Sequence, residues 1–281
     1  MGRREVTIAA VDAAFGVIDP RYKALYERAL EVLEADERVV RVEIHGSLVN
    51  GTADEWSDLD LKVIVSDLAV TPFLAEWRDW MSRITPTVLL DRPLAPFIIN
   101  AVTADGLTFD VSVWAESSPD WTPPPGFAVG MMSGRRFTDY RPAVEYAVRE
   151  RLRCLAGPGI RFLKRGDHLG HLGGLGHTLG LLTTVLLAEA EVVPDDARHP
   201  ERYMNAAQRA VIEALPPVTA TYDSLLAFEL ALAEQTLTRA RPLFERYGLT
   251  WPTEFEAVAA ANLQRHLGVT VDWRRPPSER P

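Results

Sequence analysis

The sequence has few features of secreted or membrane proteins. It contains a single cysteine, Cys154, so no disulfide can form within the chain. The charged residues 1–5 are followed by no long apolar core, which argues against a signal peptide. The most apolar run, residues 179–188, is shorter than the roughly 20 residues that a membrane span needs. We therefore expect a cytoplasmic protein without a membrane partner.

Positive charge is scarce, above all in the first half of the chain. The 281 residues carry 39 Asp and Glu against 30 Lys and Arg, a formal net charge of −9. Residues 1–134 hold 21 acidic and 11 basic residues, whereas residues 135–281 hold 18 and 19. An acidic chain disfavours non-specific binding to nucleic acid, so we expect no nucleic-acid partner.

One segment of the second half is basic. Residues 135–166 contain nine Lys or Arg residues, opposed by Asp139, Glu145 and Glu150. Such a segment could face a triphosphate across a cleft from the acidic domain. Lys164 lies at the end of this segment, and we expect it to bind the nucleotide.

Hydrophobic periodicity predicts strands and helices in the first half of the chain. Apolar residues at helical spacing indicate a helix over residues 22–36, and a second helix is expected over 73–83. Alternating or apolar runs predict strands over 39–45, 59–66, 87–90, 97–103 and 107–114. Asp105-Gly106 suits the tight turn of a hairpin between the last two.

The second half of the chain reads as helical. A proline-rich stretch over residues 117–134 interrupts all periodicity, and helices are expected over 140–155, 167–191, 200–215, 219–247 and 252–266. The fold class predicted is therefore an α/β (α+β) domain with a mixed sheet, residues 1–134, followed by an all-α helical bundle, residues 135–281.

A possible phosphate-binding turn follows the first strand. In Ile44-His45-Gly46-Ser47, the strand ends at a Gly-Ser pair, and a short helix is expected to follow. Glycine lets a phosphate approach the backbone, and a helix N-terminus offers free N–H groups. Because the Ser47 hydroxyl adds a donor, Gly46 and Ser47 are candidates for binding a triphosphate.

Three acidic residues lie on or beside predicted strands. Asp58 and Asp60 are two residues apart, so on a strand their carboxylates share one face. Two such carboxylates repel each other unless a cation lies between them, and magnesium prefers oxygen ligands. Asp110 is a lone acid in an apolar strand, which is costly unless that strand lies beside the first pair.

Together these motifs resemble the nucleotidyltransferase superfamily that includes DNA polymerase beta. The resemblance covers residues 38–114. It implies that Asp58, Asp60 and Asp110 bind two Mg²⁺ ions, that Gly46 and Ser47 bind ATP or another NTP, and that Asp110 holds a metal or accepts a proton.

Within this superfamily, a minimal transferase domain followed by a helical domain resembles the bacterial antibiotic nucleotidyltransferases. Those enzymes adenylylate aminoglycosides, and related ones act on lincosamides. That group implies transfer of AMP from ATP to a hydroxyl of an aminoglycoside, and a role in antibiotic resistance. The acidic first domain suits a polycationic acceptor. The chain has Asn50 where many relatives carry Arg.

Several alternatives stay open from the sequence. The acceptor could instead be a lincosamide, another metabolite, a protein side chain or an RNA end, and a non-catalytic NTP-binding module is a further alternative. Glu145 or Glu150 could supply a general base in place of Asp110. A zinc site at His168, His171 and His177 is disfavoured because no cysteine supports it. The oligomeric state is open.

Five glycines lie between the leucines of the helix expected over residues 167–191. No strand precedes them, so a phosphate loop is disfavoured. We expect them to allow close packing against another helix or to loosen the start of this one. They are Gly170, Gly173, Gly174, Gly176 and Gly180.

Overall fold

The computed structural model of the chain describes residues 13, 15–92, 97–118, 139–192 and 199–274. It divides into two compact units, residues 1–125 and 126–281, called here the first and second unit. The boundary between the units and the one expected after Gly134 both fall outside the described residues. The domain boundary therefore remains a prediction.

The first unit is built on one mixed sheet, as the sequence predicts. The strands lie in the order β1-β2-β5-β4-β3; β2 and β5 are parallel, and the other neighbours are antiparallel. Their bounds are Val39–His45 (β1), Leu59–Val65 (β2), Thr87–Asp91 (β3), Ile98–Thr103 (β4) and Thr108–Ala115 (β5).

Helices cover one face of this sheet. Leu59, Leu61, Phe109 and Val111 alternate along β2 and β5 and pack into one buried core. Residues of helices α1 and α4 complete that core. The helices of this unit are Arg21–Glu34 (α1), Ser47–Asn50 (α2), Val70–Ala75 (α3) and Trp77–Ile84 (α4), with a 3₁₀ turn at Asp67–Ala69.

Two local predictions for this unit have different outcomes. The hairpin turn is confirmed, because Gly106 has a φ of 92° and Asp105-Gly106 joins β4 to β5. The single helix expected over residues 73–83 is wrong. The chain leaves helical geometry at Glu76, whose carboxylate accepts a hydrogen bond from Arg38 at 2.6 Å.

The second unit is helical in all its described elements, which confirms the predicted fold class. Its helices are Tyr140–Ala156 (α5), Pro158–Arg165 (α6), His168–Glu189 (α7), Ala206–Glu213 (α8), Tyr222–Arg246 (α9) and Thr253–Leu267 (α10).

Helix boundaries in this unit depart from the prediction in two places. The sequence reading placed no helix where α6 lies, although Pro158 occupies its first turn. The helix expected over residues 200–215 is instead a 3₁₀ turn, Pro200–Tyr203, followed by α8. Asn205 separates the two, because it forms a capping box with Gln208 and so starts a new helix.

Helix α7 is the longest apolar helix of the described residues. It has the length and mean hydropathy of a membrane span, but half of its most apolar stretch is buried within the protein. Leu182 and Leu186 lie in a core that also contains Leu225 and Leu232 of α9. Burial of this kind is typical of the central helix of a bundle.

The close packing expected of the α7 glycines is wrong for most of them. A β-carbon added at Gly173, Gly174, Gly176 or Gly180 would meet no atom within 4 Å. Gly170 differs, because a β-carbon there would collide with the carboxylate of Asp167, which caps the helix. The other four glycines therefore loosen the helix without allowing a closer approach.

Candidate active site

Five polar residues form one row across the sheet of the first unit. In the register of the strands, His45 is opposite Asp60, Asp60 opposite Asp110, Asp110 opposite Asn100, and Asn100 opposite Asp91. Paired positions on neighbouring strands share a face and lie about 4.8 Å apart. The row therefore brings predicted site residues from distant parts of the sequence onto one face.

This face is opposite the helix-covered core. The residues on both sides of Asp110, Phe109 and Val111, are fully buried in that core. Asp60 likewise lies between the buried Leu59 and Leu61. Because side chains alternate along a strand, both carboxylates project from the other face, where each is half-buried.

Asp60 lies directly against the backbone of Gly46. A β-carbon at position 46 would overlap Oδ2 of Asp60, and Gly46 has φ 71° and ψ −144°, which only glycine adopts readily. In the predicted site, Gly46 lets a phosphate approach the backbone. The structure shows that its missing side chain also makes room for the carboxylate.

Asp110 is held by the amide of Asn100. Asn100 Nδ2 donates to Asp110 Oδ1 at 2.6 Å, between directly paired residues of β4 and β5. Asn100 is only 2% exposed, and its Oδ1 is buried without a hydrogen-bond partner. This residue is not among the predicted site residues, although a polar residue within the apolar run Ile98-Ile99-Asn100-Ala101-Val102 gives the same signal as Asp110.

Asp58 lies immediately before β2, which begins at Leu59 as predicted. The turn that leads to it is fixed by Asp54 and Ser57. The Ser57 hydroxyl donates to Asp54 Oδ1 and accepts from the Asp54 N–H, both at 3.0 Å. Ser57 thus has a structural role in the turn that brings Asp58 to the start of the strand.

The candidate phosphate-binding turn is present, but its helix is short. Helix α2 has four residues, from Ser47 to Asn50, so a macrodipole of the size found in longer helices does not form there. Ser47 is half-buried and directly follows Gly46. A phosphate at this turn would be held by individual backbone N–H groups and the Ser47 hydroxyl more than by a dipole.

A buried lysine lies on the same face, two residues beyond Asp60. Lys62 is 8% exposed, its Nζ is 3.9 Å from Glu43 Oε2, and it lies 5.5 Å from the centroid of the Trp114 ring. Lys62 is not among the site residues predicted from the sequence. Its positive charge partly offsets the carboxylates of this face.

The oxygen donors on this face fit a divalent metal ion. Like charges directly opposite each other on neighbouring strands destabilise a sheet, and Asp60 and Asp110 are such a pair. A cation between them would remove that repulsion. Magnesium takes carboxylate oxygens and completes its shell with phosphate and water oxygens. Asp58, Asp60 and Asp110 are the residues that would hold it.

Two arginines of the basic segment that was predicted to face the triphosphate pair within the second unit. Arg151 is fully buried, and its guanidinium binds the carboxylate of Glu229. Arg153 forms two hydrogen bonds with Glu150, at 2.7 and 2.8 Å. Lys164 is exposed in the last turn of α6, and its role in nucleotide binding stays a prediction.

Of the two alternative bases, Glu150 is poorly suited to accept a proton. Burial disfavours its charged form, but Arg153 and His177 outweigh burial and lower the pKa of Glu150 to about 2. A general base works best when its pKa lies near the operating pH. Glu145 is half-exposed and lies 3.8 Å from Arg149.

The three histidines of α7 do not form a common metal site. His171 Nε2 lies 3.1 Å from Glu229 Oε1, whereas His177 Nε2 lies 3.0 Å from Glu150 Oε1. Glu150, Cys154 and His177 do place ligand atoms within 4.8 Å of one another. Arg153 already binds both oxygens of Glu150 and supplies the positive charge there.

Sequence comparison locates a known domain over the candidate site. A family model described as a nucleotidyltransferase domain matches residues 26–101. The matched range contains Gly46, Ser47, Asp58 and Asp60, and it ends before Asp110. No curated protein sequence matches the chain.

Five chains of solved structures are similar to this one. Among them is an aminoglycoside 6-adenyltransferase from Bacillus subtilis, with 12% identity and a TM-score of 0.34 over 86% of this chain and 95% of that one. At this TM-score the likeness carries no argument about fold or substrate.

Proposed function

We propose that the chain transfers a nucleoside monophosphate from an NTP to a hydroxyl of a small molecule, on the basis of the nucleotidyltransferase-domain model that matches residues 26–101. The observation that carries the proposal is the pairing of Asp60 with Asp110 across β2 and β5, beside the Gly46-Ser47 turn. ATP is the expected donor, and an aminoglycoside is the expected acceptor.

In the proposed reaction, the acceptor oxygen attacks the α-phosphorus in line with the leaving pyrophosphate. The new P–O bond forms as the bond between the α-phosphorus and the oxygen that bridges to the β-phosphate breaks. The hydroxyl proton passes to a general base, for which Asp110 is the candidate. Asp58, Asp60 and Asp110 would hold Mg²⁺, which when bound activates the attacking oxygen and stabilises the leaving group. Gly46 and Ser47 would bind the terminal phosphates, with Lys164 as a further candidate.

The acceptor class is supported by charge. Residues 1–134 carry 21 acidic and 11 basic residues, so the first unit would attract a cationic acceptor and its metal ions. Glu43 and His45 on β1 are accessible beside Asp60, on the candidate face. An aminoglycoside carries several ammonium groups that such a surface would favour.

The test is pyrophosphate release from MgATP over a panel of aminoglycosides and lincosamides, with an Asp60→Asn variant. Asp79→Asn is a matched control, because it removes the same charge from an exposed position on α4. We expect release that depends on one compound class, persists in Asp79→Asn and vanishes in a folded Asp60→Asn variant. An active Asp60→Asn variant would refute the assignment, and NTP binding without release would favour a binding module.

A further inference from the structure

We propose that Asn100 is a positioning residue for the metal site, acting through Asp110. This inference rests on the proposed function, because it assigns Asn100 a role toward the metal ion that the carboxylates would hold. Asn100 would bind Asp110 Oδ1 and so orient the carboxylate with Oδ2 toward the metal.

The contact is direct and is built into the register of the sheet. Asn100 and Asp110 are paired residues of adjacent antiparallel strands, and the amide nitrogen lies 2.6 Å from Asp110 Oδ1. On its other side, Asp110 is paired with Asp60. A rotation of the Asp110 side chain would break the amide contact, so the amide selects one orientation of a carboxylate that lies beside a second one.

The carbonyl oxygen of the Asn100 amide argues against a purely structural role for this residue. Asn100 Oδ1 is buried and has no hydrogen-bond partner, an arrangement that costs free energy in a folded protein. The residues around it on β4 are Ile98, Ile99, Ala101 and Val102, so an apolar residue would suit the strand. Local features that reduce stability are expected mainly at functional sites.

The chemistry required of this position is also specific. An amide N–H donates to a carboxylate without adding charge, so Asn100 leaves the site with its full negative charge for a cation. Groups that orient metal ligands in this way typically change metal affinity 10- to 100-fold when they are removed. A lysine or arginine at position 100 would orient Asp110 as well but would compete with the metal.

The experiment measures binding of Mn²⁺, as a probe for Mg²⁺, to the full chain by electron paramagnetic resonance, together with thermal unfolding in the absence of metal. The variant is Asn100→Leu, which keeps the approximate shape and removes both donor and acceptor. Asn262→Leu is the matched control, because Asn262 is equally buried and its amide donates to the Ala156 carbonyl at 2.8 Å.

We expect Asn100→Leu to raise the Mn²⁺ dissociation constant by about 10- to 100-fold with little loss of thermal stability. Asn262→Leu should lower thermal stability and leave Mn²⁺ binding unchanged. Equal Mn²⁺ affinity in wild type and folded Asn100→Leu would overturn the positioning role. If Asn100→Leu does not fold, Mn²⁺ binding and thermal unfolding are measured on Asn100→Ala instead, with the same expected results. Absence of Mn²⁺ binding to the wild type would instead overturn the proposed function.

Discussion

The carboxylate of Asp60 occupies the space that a β-carbon of residue 46 would need. Gly46 directly follows β1, and Asp60 lies on the neighbouring strand β2, opposite His45. Gly46 therefore has two structural roles at this point of the sheet. It allows the backbone to turn with a positive φ, and it lets a candidate metal ligand lie against that turn.

This relationship predicts that Gly46→Ala is more damaging than Gly51→Ala. Gly51 has left-handed helical geometry (φ 71°, ψ 25°), where alanine costs about 1–2 kcal/mol, whereas Gly46 (φ 71°, ψ −144°) lies close to a region that is essentially restricted to glycine. Only at Gly46 does the new methyl group also displace Asp60, since nothing lies within 4 Å at Gly51. Urea unfolding should show the larger loss for Gly46→Ala, and only that variant should lose Mn²⁺ binding. Equal effects on both readouts would contradict the predicted contact.

The strands and the acidic residues were predictable because their signals are local. Val39–His45 alternates apolar and polar residues and stops at Gly46, so its bounds agree with the prediction. Asp110 was recognised as an acid in an apolar strand. Asn100 carries the same signal in a neutral form, and its importance is evident only once its partner is seen across the sheet.

The ion-pair partners of the basic residues in the second unit were less predictable, because a count of basic residues does not identify the acids they contact. The partner of Arg151 is Glu229, which lies 78 residues further along the chain. No local pattern links the two residues. The basic segment over residues 135–166 therefore includes an arginine that is buried in an ion pair within the second unit.

The buried ion pair predicts loss of stability in acid. Burial opposes the charge on Glu229, but Arg151 and His171 outweigh it and lower its pKa from 4.5 to about 2. A lowered carboxylate pKa stabilises the fold at pH values above about 4.5, and this contribution is lost as the pH falls toward 2.

The measurement is urea unfolding between pH 7 and pH 2.5 for wild type and Glu229→Gln. The glutamine variant should be less stable at pH 7, because it leaves Arg151 buried without its counter-charge. The difference between the two proteins should shrink as the pH falls below 4.5. A difference that is independent of pH would show that the Glu229 pKa is not lowered by folding.

The space beside two glycines of α7 predicts that alanine at either position increases the stability of the fold. At Gly176 and Gly180, alanine would meet no atom within 4 Å, so Gly→Ala should stabilise the helix by about 0.5–1 kcal/mol each. Gly170→Ala should have the opposite effect, because its β-carbon would collide with the Asp167 carboxylate that accepts from the Gly170 N–H. Thermal unfolding of the three variants checks this, and destabilisation by Gly176→Ala would show that a surface contacts this side of the helix.

The single thiol is predicted to be unreactive in the folded chain. Burial, followed by the nearby charge of Glu150, raises the pKa of Cys154 to about 12. Since the thiolate is the reactive form, an aromatic disulfide reagent at pH 8 should modify it on the order of a thousandfold more slowly than in urea. Similar rates in the folded and unfolded chain would contradict this environment.

The row that contains Asp60 and Asp110 is proposed to support transfer at the α-phosphorus. The most direct test incubates the full chain and an aminoglycoside mixture with Mg²⁺ and ATP labelled at either the α- or the γ-phosphate. We predict that α-label enters a new acceptor product, that γ-label leaves as pyrophosphate, and that Asp110→Asn abolishes both. Entry of γ-label into the acceptor, or release of inorganic phosphate alone, would contradict the account.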